Sequence, residues 1–470
     1  MSRGYIVIPV FTLIVLSILF FSHYFLYFSL TYFFGIAAGA RRDVLAGILF
    51  LLPSIFIASS ILAHWIDNLF SRSVYFCSGL WLGVALTLIF TFAIAWGAWG
   101  MAKLFTHSPN RVFFGWAAVT LACLYSAYGI WNAYHPRARN LTVRIKNLPP
   151  VWRGRKVVQL SDVHLGYVLR AGFASRLVAM VNAENPDLVA ITGDLFDGVD
   201  GKLADLIAPL NTLQAPLGIY FVTGNHETYL GVERAYAALS TTRVRILADQ
   251  MVVIDGLQLI GISYPERGHS RNLTQVITKL PGFNPALPSI LLYHSPTHIA
   301  EAKAAEISLQ LSGHAHHGQI FPIQFISRLV YGRYYYGLHV ERDYTLYTSS
   351  GAGTWGPTMR TGNHPEIVVI RLEQASIHGG SRPGGLSDVP FRWVQPNRSI
   401  QGRSSGGTAW AVNCPPIHHV SSVKTTRLPF RKVASAAANP PTPPPILVLL
   451  GRIPRRQGGA EVGILPLHQF

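Results

Sequence analysis

The nine residues from Leu311 to Gln319, LSGHAHHGQ, place three histidines within four positions, behind an apolar run and flanked by two glycines. Gly313 gives the backbone freedom to turn sharply. His314 and His316, two apart on a loop, can then both point imidazoles at metal ions. Taken alone, the cluster reads equally as a polar loop that happens to be histidine-rich. The rest of the chain decides between the two.

The apolar run before it, ISLQL (307–311), is one of five of its kind, the others being KVVQL (156–160), DLVAIT (187–192), GIYFVT (218–223) and SILLY (289–293). Helix-like stretches such as AGFASRLVAMVNAENP and KLADLIAPLNTL separate most of them. Short apolar strands alternating with amphipathic segments predict an α/β domain of layered, buried sheets flanked by helices. The residues immediately after each strand carry the chemistry. KVVQL runs into SDVHLG, DLVAIT into GDLFDG, GIYFVT into GNHE, SILLY into HSP, and ISLQL into SGHAHHGQ. In open α/β sheets, sites form at the carboxyl ends of strands, so five strand ends deliver Asp, His or Asn to what can be one rim.

Each residue has a plain alternative: Asp162 as a helix cap, Asn225 in a turn, His294 as a satisfied core histidine. Their joint occurrence, each time behind a strand, does not reduce to those. Carboxylate, imidazole and amide oxygen donors without thiolates suit divalent manganese, iron or zinc. There are more of them than one tetrahedral ion needs, which points to two ions sharing a carboxylate.

The ordered set SDVH, GDLFD, GNHE, YH and GHAH resembles the calcineurin-like metallophosphoesterase superfamily over about residues 142–372. The flanks NLTVRIKNLPPVWRGRKVVQLSDVHLG and MRTGNHPEIVVIRL resemble its bacterial membrane-linked branch. The resemblance implies that Asp162, His164 and His316 hold one ion, that Asn225, His294 and His314 hold the other, and that Asp194 bridges them. It further implies that His226 stands beside the leaving group, oriented by Asp197, and that Arg360 contacts phosphate. Two such cations clamp a phosphoryl group and lower the pKa of water toward about 7, and a histidine acid adds roughly 10²–10⁴ in rate. The chain departs from the branch at His317, where glycine is usual, and at SYPERG (263–268); neither removes a ligand. The stretch RLVYGRYYYGLHVERDY (328–344) reads either as a packed β-hairpin or as a lip at a membrane interface, where tyrosine favours headgroups and arginine pairs with phosphate.

Residues 1–135 read as membrane. Segments 44–65, about 74–100 and 112–134 each reach the roughly 20 apolar residues that a bilayer crossing needs and are bounded by charges. The opening run from Tyr5 to about Ala38 is read as one long span, making four helices, with two spans as the alternative. No acidic residue lies within a span, so these helices read as an anchor or lipid-access platform rather than an ion path. With four spans, the amino terminus and the phosphoesterase domain share a side. That side carries Arg3, Arg72, Arg137, Arg139, Arg144 and Lys146 against Arg41, Arg42, Lys103 and Arg111 opposite, which places the domain in the cytoplasm, at a bacterial inner membrane.

The formal net charge of +17 does not mark a nucleic-acid surface. Residues 374–470 contribute +9 of it, and the expected domain over 136–373 only +4. No nucleic-acid partner is expected. The three cysteines are too far apart for a thiolate zinc site or a disulfide framework. Residues 374–470 hold 13 of the 30 prolines, including PPTPPP at 440–445, and read as a disordered basic tail. Three parts are thus expected: membrane helices over 1–135, a phosphoesterase domain over 136–373, and the tail. The expected function is a membrane-anchored, dinuclear metal-dependent phosphoesterase that cleaves a phosphodiester or pyrophosphate bond, with a lipid-linked substrate in reach. The alternative is a membrane protein that keeps this fold as a binding or assembly module without turnover.

Overall fold

The computed structural model describes residues 3–63, 65–106, 108–198, 202–265 and 271–375. The expected basic tail, beyond its first two residues, lies outside them, as do Glu266 to Gly268 of the SYPERG departure.

Four long helices come first: α1 (Arg3–Phe34), α2 (Ala40–Leu62), α3 (Leu69–Phe105) and α4 (Arg111–Ala133). The opening run is therefore one continuous helix. All four are long and apolar enough to cross a membrane. Large apolar side chains such as Phe21, Phe50, Phe113 and Leu124 point outward, while the helices meet through a buried cluster that includes Leu26, Phe33, Leu49 and Phe92 and through polar pairs. Ser59 and Ser78 hydroxyls meet at 2.8 Å, Thr87 and Ser126 at 2.7 Å, and the Trp81 and Trp96 indoles donate to His23 Nε2 and Ser29 Oγ, both at 3.0 Å. An apolar exterior with hydroxyl and indole pairs between helices suits a hydrocarbon solvent, where small and hydroxylated residues help hold helices together. The helix α3 runs to 37 residues, longer than its sequence pattern suggests. Its start is fixed by a reciprocal cap between Asn68 and Ser71, upstream of the apolar run.

The chain then builds two six-stranded sheets. The first comprises β1 (Arg137–Ile145), β2 (Lys156–Leu160), β3 (Leu188–Thr192), β4 (Ile219–Val222), β5 (Val244–Ile246) and β12 (Glu366–Gln374), in the order β1-β12-β2-β3-β4-β5. The second comprises β6 (Gln250–Ile254), β7 (Leu257–Gly261), β8 (Ser289–Leu292), β9 (Leu309–Ser312), β10 (Gly337–Glu341) and β11 (Tyr344–Thr348), in the order β10-β11-β9-β8-β7-β6. Strands β2 to β5 are mutually parallel, and so are β7, β8, β9 and β11. The alternation of side chains along a strand sorts the core into layers. Val157, Leu188, Ala190, Leu259, Ile290, Leu292, Leu309 and Leu311 fill the space between the sheets. Val158, Val189 and Ile191 turn outward onto helices of the first side, and Ile260, Leu291 and Leu346 onto helices of the second. The result is a helix–sheet–sheet–helix sandwich. Both sheets are covered on both faces, which is why their strands read as unbroken apolar runs.

The sandwich touches the helices directly. Tyr125 Oη donates to Thr361 O (3.0 Å), Asn132 Nδ2 donates to Arg360 O (2.9 Å) and Asn363 O (2.7 Å), and the Arg360 amide donates to Gly129 O (2.9 Å). Gly129 permits this approach: a Cβ there would fall 2.5 Å from Thr361 Cγ2 and 2.6 Å from Met359 Cγ. On the other flank, Tyr167 Oη donates to Ala63 O at 2.8 Å.

Candidate metal centre

The five strand ends singled out in the sequence meet at one rim, to which both sheets contribute. Asp162 and His164 come after β2, Asp194 after β3 and Asn225 after β4, all in the first sheet. His294 comes after β8, and His314 and His316 after β9, in the second. A buried amide ties the two edges together just beneath the site. Gln159 Nε2, on β2, donates to Thr192 Oγ1 and, across the gap, to Ser312 O, both at 2.9 Å.

Three groups of these side chains bring one donor atom each to within 4.8 Å of one another: Asp162, His164 and His316; His164, Asp194 and His226; and Asp194, His294 and His314. In the first, His164 Nε2 and His316 Nε2 lie 3.0 Å apart, with Asp162 Oδ1 3.3 Å from the latter. In the third, His294 Nε2 lies 3.1 Å from Asp194 Oδ2, 3.2 Å from Asn225 Oδ1 and 3.2 Å from His314 Nδ1. Asp194 belongs to both outer clusters' surroundings, with Oδ2 also 3.9 Å from His164 Nε2. Nearly all of these side chains are buried, and Asp162 Oδ2 has no hydrogen-bond partner. Imidazole nitrogens and carboxylate oxygens converging out of water, one of them orphaned, fit divalent cations better than they fit one another.

The backbone is strained where the donors sit. Asp162 (φ 51°), His164 (51°), Asp194 (51°), His314 (69°) and His316 (47°) all adopt the left-handed region, which non-glycine residues avoid. Such conformations persist only where the surroundings over-determine them. Two glycines make that possible by close approach. A Cβ on Gly313 would fall 2.0 Å from Ser161 Oγ and 2.1 Å from Asp162 Oδ2, and one on Gly224 would fall 2.1 Å from Asp194 Oδ1. Gly313 thus serves to let two loops touch rather than to turn the chain, as its φ is not positive. His317 (φ 49°), standing where glycine is usual, lies flat on Tyr336 with ring centroids 3.9 Å apart and an interplanar angle of 7°.

Three placements differ from the sequence expectation in detail. Asp197 does hold His226, but through its main chain: His226 Nδ1 lies 2.9 Å from Asp197 O, while the Asp197 carboxylate faces His164 Nδ1 at 3.4 Å. Just beside it, an isolated parallel bridge joins Leu165 to Phe196, and the Asp197 amide donates to Leu165 O at 3.0 Å. Arg360 is fully buried. Its Nε and Nη2 donate to Gly353 O, Nη1 donates to Asn363 Oδ1 (2.6 Å), and Nη2 lies 3.3 Å from His316 Nδ1, so its partners are protein groups. The tyrosine-rich stretch is divided: Tyr344 and Tyr347 are core, whereas the Tyr331 ring lies 5.8 Å from that of His314.

Two residues escaped the sequence reading. The buried Glu227 carboxylate accepts from the amides of Asp194 (2.9 Å), Phe196 (3.1 Å) and Gly224 (2.7 Å), clamping the loops after β3 and β4. Its signal was available: Glu227 is the third residue of the Asn225–Leu230 helix, where a carboxylate reaches back to the cap. Burial, then Asp194, raise it to about 7. Tyr264, in the SYPERG stretch, has its ring 5.9 Å from those of His294 and His314, and no sequence pattern marks it.

The chain is similar to known proteins over this region. A family model described as calcineurin-like phosphoesterase matches residues 155–318. An uncharacterized metallophosphoesterase of Campylobacter jejuni is 34% identical over 270 residues, 56% of this chain and 70% of that one. An uncharacterized metallophosphoesterase of Aquifex aeolicus is 31% identical over 259 residues, 54% of this chain and 98% of that one. A bovine transmembrane protein with metallophosphoesterase domain is 36% identical over 279 residues, 55% of this chain and 62% of that one, so this chain spans less than two thirds of it. Among solved structures, a dimetal phosphatase from Danio rerio matches at 13% identity and a TM-score of 0.31, over 47% of this chain and 99% of that one.

Protonation of the cluster is uneven before an ion binds. Burial disfavours a charged His294, but the adjacent Asp194 carboxylate outweighs it and raises the imidazole to about 9; burial, then the charge on His294, lowers His314 to about 3. A cation must displace the His294 proton, which is bound below about pH 9. The affinity of the ion that His294 holds should therefore rise with pH, by about tenfold per unit across roughly pH 6.5–8.5, with about one proton released as that ion binds. Calorimetric Mn²⁺ titrations in buffers of different ionisation enthalpy measure both quantities. A pH-independent affinity would mean that His294 is already neutral.

Proposed function

Because this chain belongs to the calcineurin-like phosphoesterase family, we propose that it is a membrane-anchored metal-dependent phosphoesterase cleaving a phosphodiester or pyrophosphate bond. The observation that carries the reading is the convergence of buried imidazole and carboxylate donors on either side of Asp194, with His164 and His316 nitrogens 3.0 Å apart and His294 3.1 Å from Asp194. Asp162, His164 and His316 would hold one divalent ion, Asn225, His294 and His314 the other, and Asp194 would stand between them. Manganese, iron and zinc all suit this donor set. When bound, such a pair stabilises charge on a phosphoryl group and makes water acidic enough to supply a nucleophile near neutral pH.

The residues supply the rest. With Nδ1–H given to the Asp197 carbonyl, the His226 ring is fixed with Nε2 free to carry a proton, and the leaving-group oxygen takes that proton as its bond to phosphorus breaks. Burial keeps His226 below the ordinary histidine range, so an anionic phosphoester beside it favours the charged form that can donate. The Asp194 Oδ1 atom accepts the His226 amide at 2.9 Å, locking the acid to the central carboxylate. Arg360 and Asn363 act on the cluster from behind. Arg360 Nη2 lies against His316, and Asn363 Nδ2 donates to His316 O (2.9 Å) and His317 O (3.0 Å). A direct contact between Arg360 and phosphate would require it to leave these partners.

The length and hydropathy of α1 to α4 and their exposed apolar side chains support a bilayer anchor. The excess of basic residues on the amino-terminal side supports a cytoplasmic catalytic domain at a bacterial inner membrane, and the shortness of the link between Ala133 and β1 keeps the metal centre close to lipid headgroups.

Three outcomes are expected. The full-length protein should hydrolyse bis-p-nitrophenyl phosphate when Mn²⁺ is supplied, and Asp194→Asn should abolish this and lose at least one metal equivalent; two retained equivalents with normal turnover would remove Asp194 from the site. His226→Ala should lower kcat by roughly 10²-fold or more on diesters with poor leaving groups and far less on p-nitrophenyl esters, with metal content unchanged; equal losses would exclude proton donation. An alkaline phosphatase reporter fused after Ala375 should be silent in bacteria, and periplasmic activity would reverse the orientation.

A further inference from the structure

The helix Gln324–Tyr331, next after the histidine loop, is amphipathic the wrong way round for a protein in water. Its apolar residues Phe325, Ile326, Leu329 and Val330 are 61, 57, 85 and 65% exposed, and none of its eight residues is buried. Their spacing of one, then three, then one puts all four on a single outward face. The inward face is the polar one. Gln324 packs its backbone against Gly318, and Tyr331 lies against His314. Four large apolar side chains in one patch, with Arg328 exposed at its edge, mark an interaction surface rather than scattered surface leucines.

The position of the helix identifies its covering. Phe325 packs edge-on against Phe321 (5.9 Å between centroids), and Phe321 edge-on against Phe90 of α3 (4.9 Å). At 1.5 Å per residue the 37 residues of α3 measure about 55 Å, against a hydrocarbon core of about 30 Å. Counting about 20 residues from the basic end at Lys103 puts the near boundary of that core around Gly83. The surplus turns before it, with Gly79 and Gly83, pack against Gly356, Pro357 and Met359 of the sandwich. Phe90 is seven residues deeper, about 10 Å below that boundary. An aromatic ladder thus runs from inside the expected hydrocarbon layer to the outward face of the Gln324–Tyr331 helix.

We propose that this helix lies in the bilayer interface with its apolar face in the acyl region, and that the metal centre behind it acts on amphiphilic phosphoesters held in the same leaflet. The proposal rests on the membrane-anchored phosphoesterase reading above and names the partner surface and substrate class of that site. Interfacial helices bury their apolar face about 5–10 Å below the headgroups, the depth at which Phe321 meets Phe90. A helix is about 10 Å across with its side chains, so a phosphate one headgroup above the acyl chains stands level with Tyr331 and His314. The acyl chain of such a substrate remains in lipid while its phosphate reaches the donors, and Arg328 faces the headgroup phosphates at the rim.

Two measurements on the full-length protein in phosphatidylcholine–phosphatidylglycerol (7:3) nanodiscs test this. With Cys77, Cys123 and Cys414 replaced by alanine, a nitroxide at Leu329→Cys should collide with oxygen more than with a water-soluble nickel chelate, as at Ile94→Cys on α3 and unlike Val253→Cys on β6. Nickel access equal to that at Val253 would overturn insertion, and would leave a protein partner as the occupant of the patch. Separately, Leu329→Glu with Val330→Glu should lower kcat/KM for hexadecyl p-nitrophenyl phosphate at least tenfold and leave methyl p-nitrophenyl phosphate within twofold, both with Mn²⁺. An equal effect on the two esters, or none, would overturn the lipid-substrate assignment. A wild-type protein inactive on both would sink the phosphoesterase reading instead, while the nitroxide result would still report the position of the helix.

Discussion

The site depends on one geometric constraint: two largely parallel sheets packed face to face with their carboxyl ends at the same edge. Each sheet alone would carry part of the donor set on a rim, as open α/β sheets do. Packing the two through Leu188, Ala190, Ile290, Leu309 and their neighbours brings the rims together, and the Gln159 side chain, donating to Thr192 and across to Ser312, fixes their separation. The apolar core between the sheets therefore sets the distances in the metal centre. A cavity-forming substitution there would be felt as misplacement of donors several residues away.

At that edge the polypeptide departs from its ordinary preferences. Five donor residues take left-handed backbone conformations, and two imidazole nitrogens approach within hydrogen-bond distance of each other without both being able to donate. These features oppose folding individually. They coexist because Glu227 clamps three amides of the loops that carry Asp194 and Asn225, because Gly224 lets those two loops touch, and because Gly313 lets the His314 loop touch that of Asp162. The same crowding pushes the protons apart, favouring the charged form on His294 and the neutral form on His314. Cations would relieve both the repulsion and the uneven protonation, which is the physical sense of so polar a cluster in so buried a place.

The apolar helices are more than a tether. The main chain of α4 accepts the Arg360 amide, its Asn132 side chain holds the Arg360 and Asn363 carbonyls, and those two residues in turn support His316. On the other flank, Tyr167, three residues beyond His164, is bonded to the end of α2. The loop beneath one half of the metal centre is thus built jointly by the sandwich and the helices, which ties the geometry of the site to the orientation of the bundle.

The repeated pattern of a short apolar strand and then Asp, His or Asn was enough to identify the layered α/β fold and the family, and to single out the donor residues that the structure gathers at one rim, because strand periodicity and donor chemistry are local properties of the chain. Four apolar runs likewise announced four long helices. Boundaries were less legible: α3 extends well beyond its hydrophobic segment, since its first turns are held by a cap and by contact with the sandwich rather than by hydropathy. The division of five strand ends between two sheets, the carbonyl rather than the carboxylate of Asp197 facing His226, the burial of Arg360 behind His316 and the presence of Tyr264 beside His294 all depend on approach between segments distant in sequence. So does the outward apolar face of Gln324–Tyr331, whose composition is ordinary until the neighbouring elements show which side is covered. Sequence determined which chemical groups this protein brings and on which kind of element. Tertiary packing decided which atoms of those groups meet, because distance and direction between remote strands are fixed only when the sheets close on their common core.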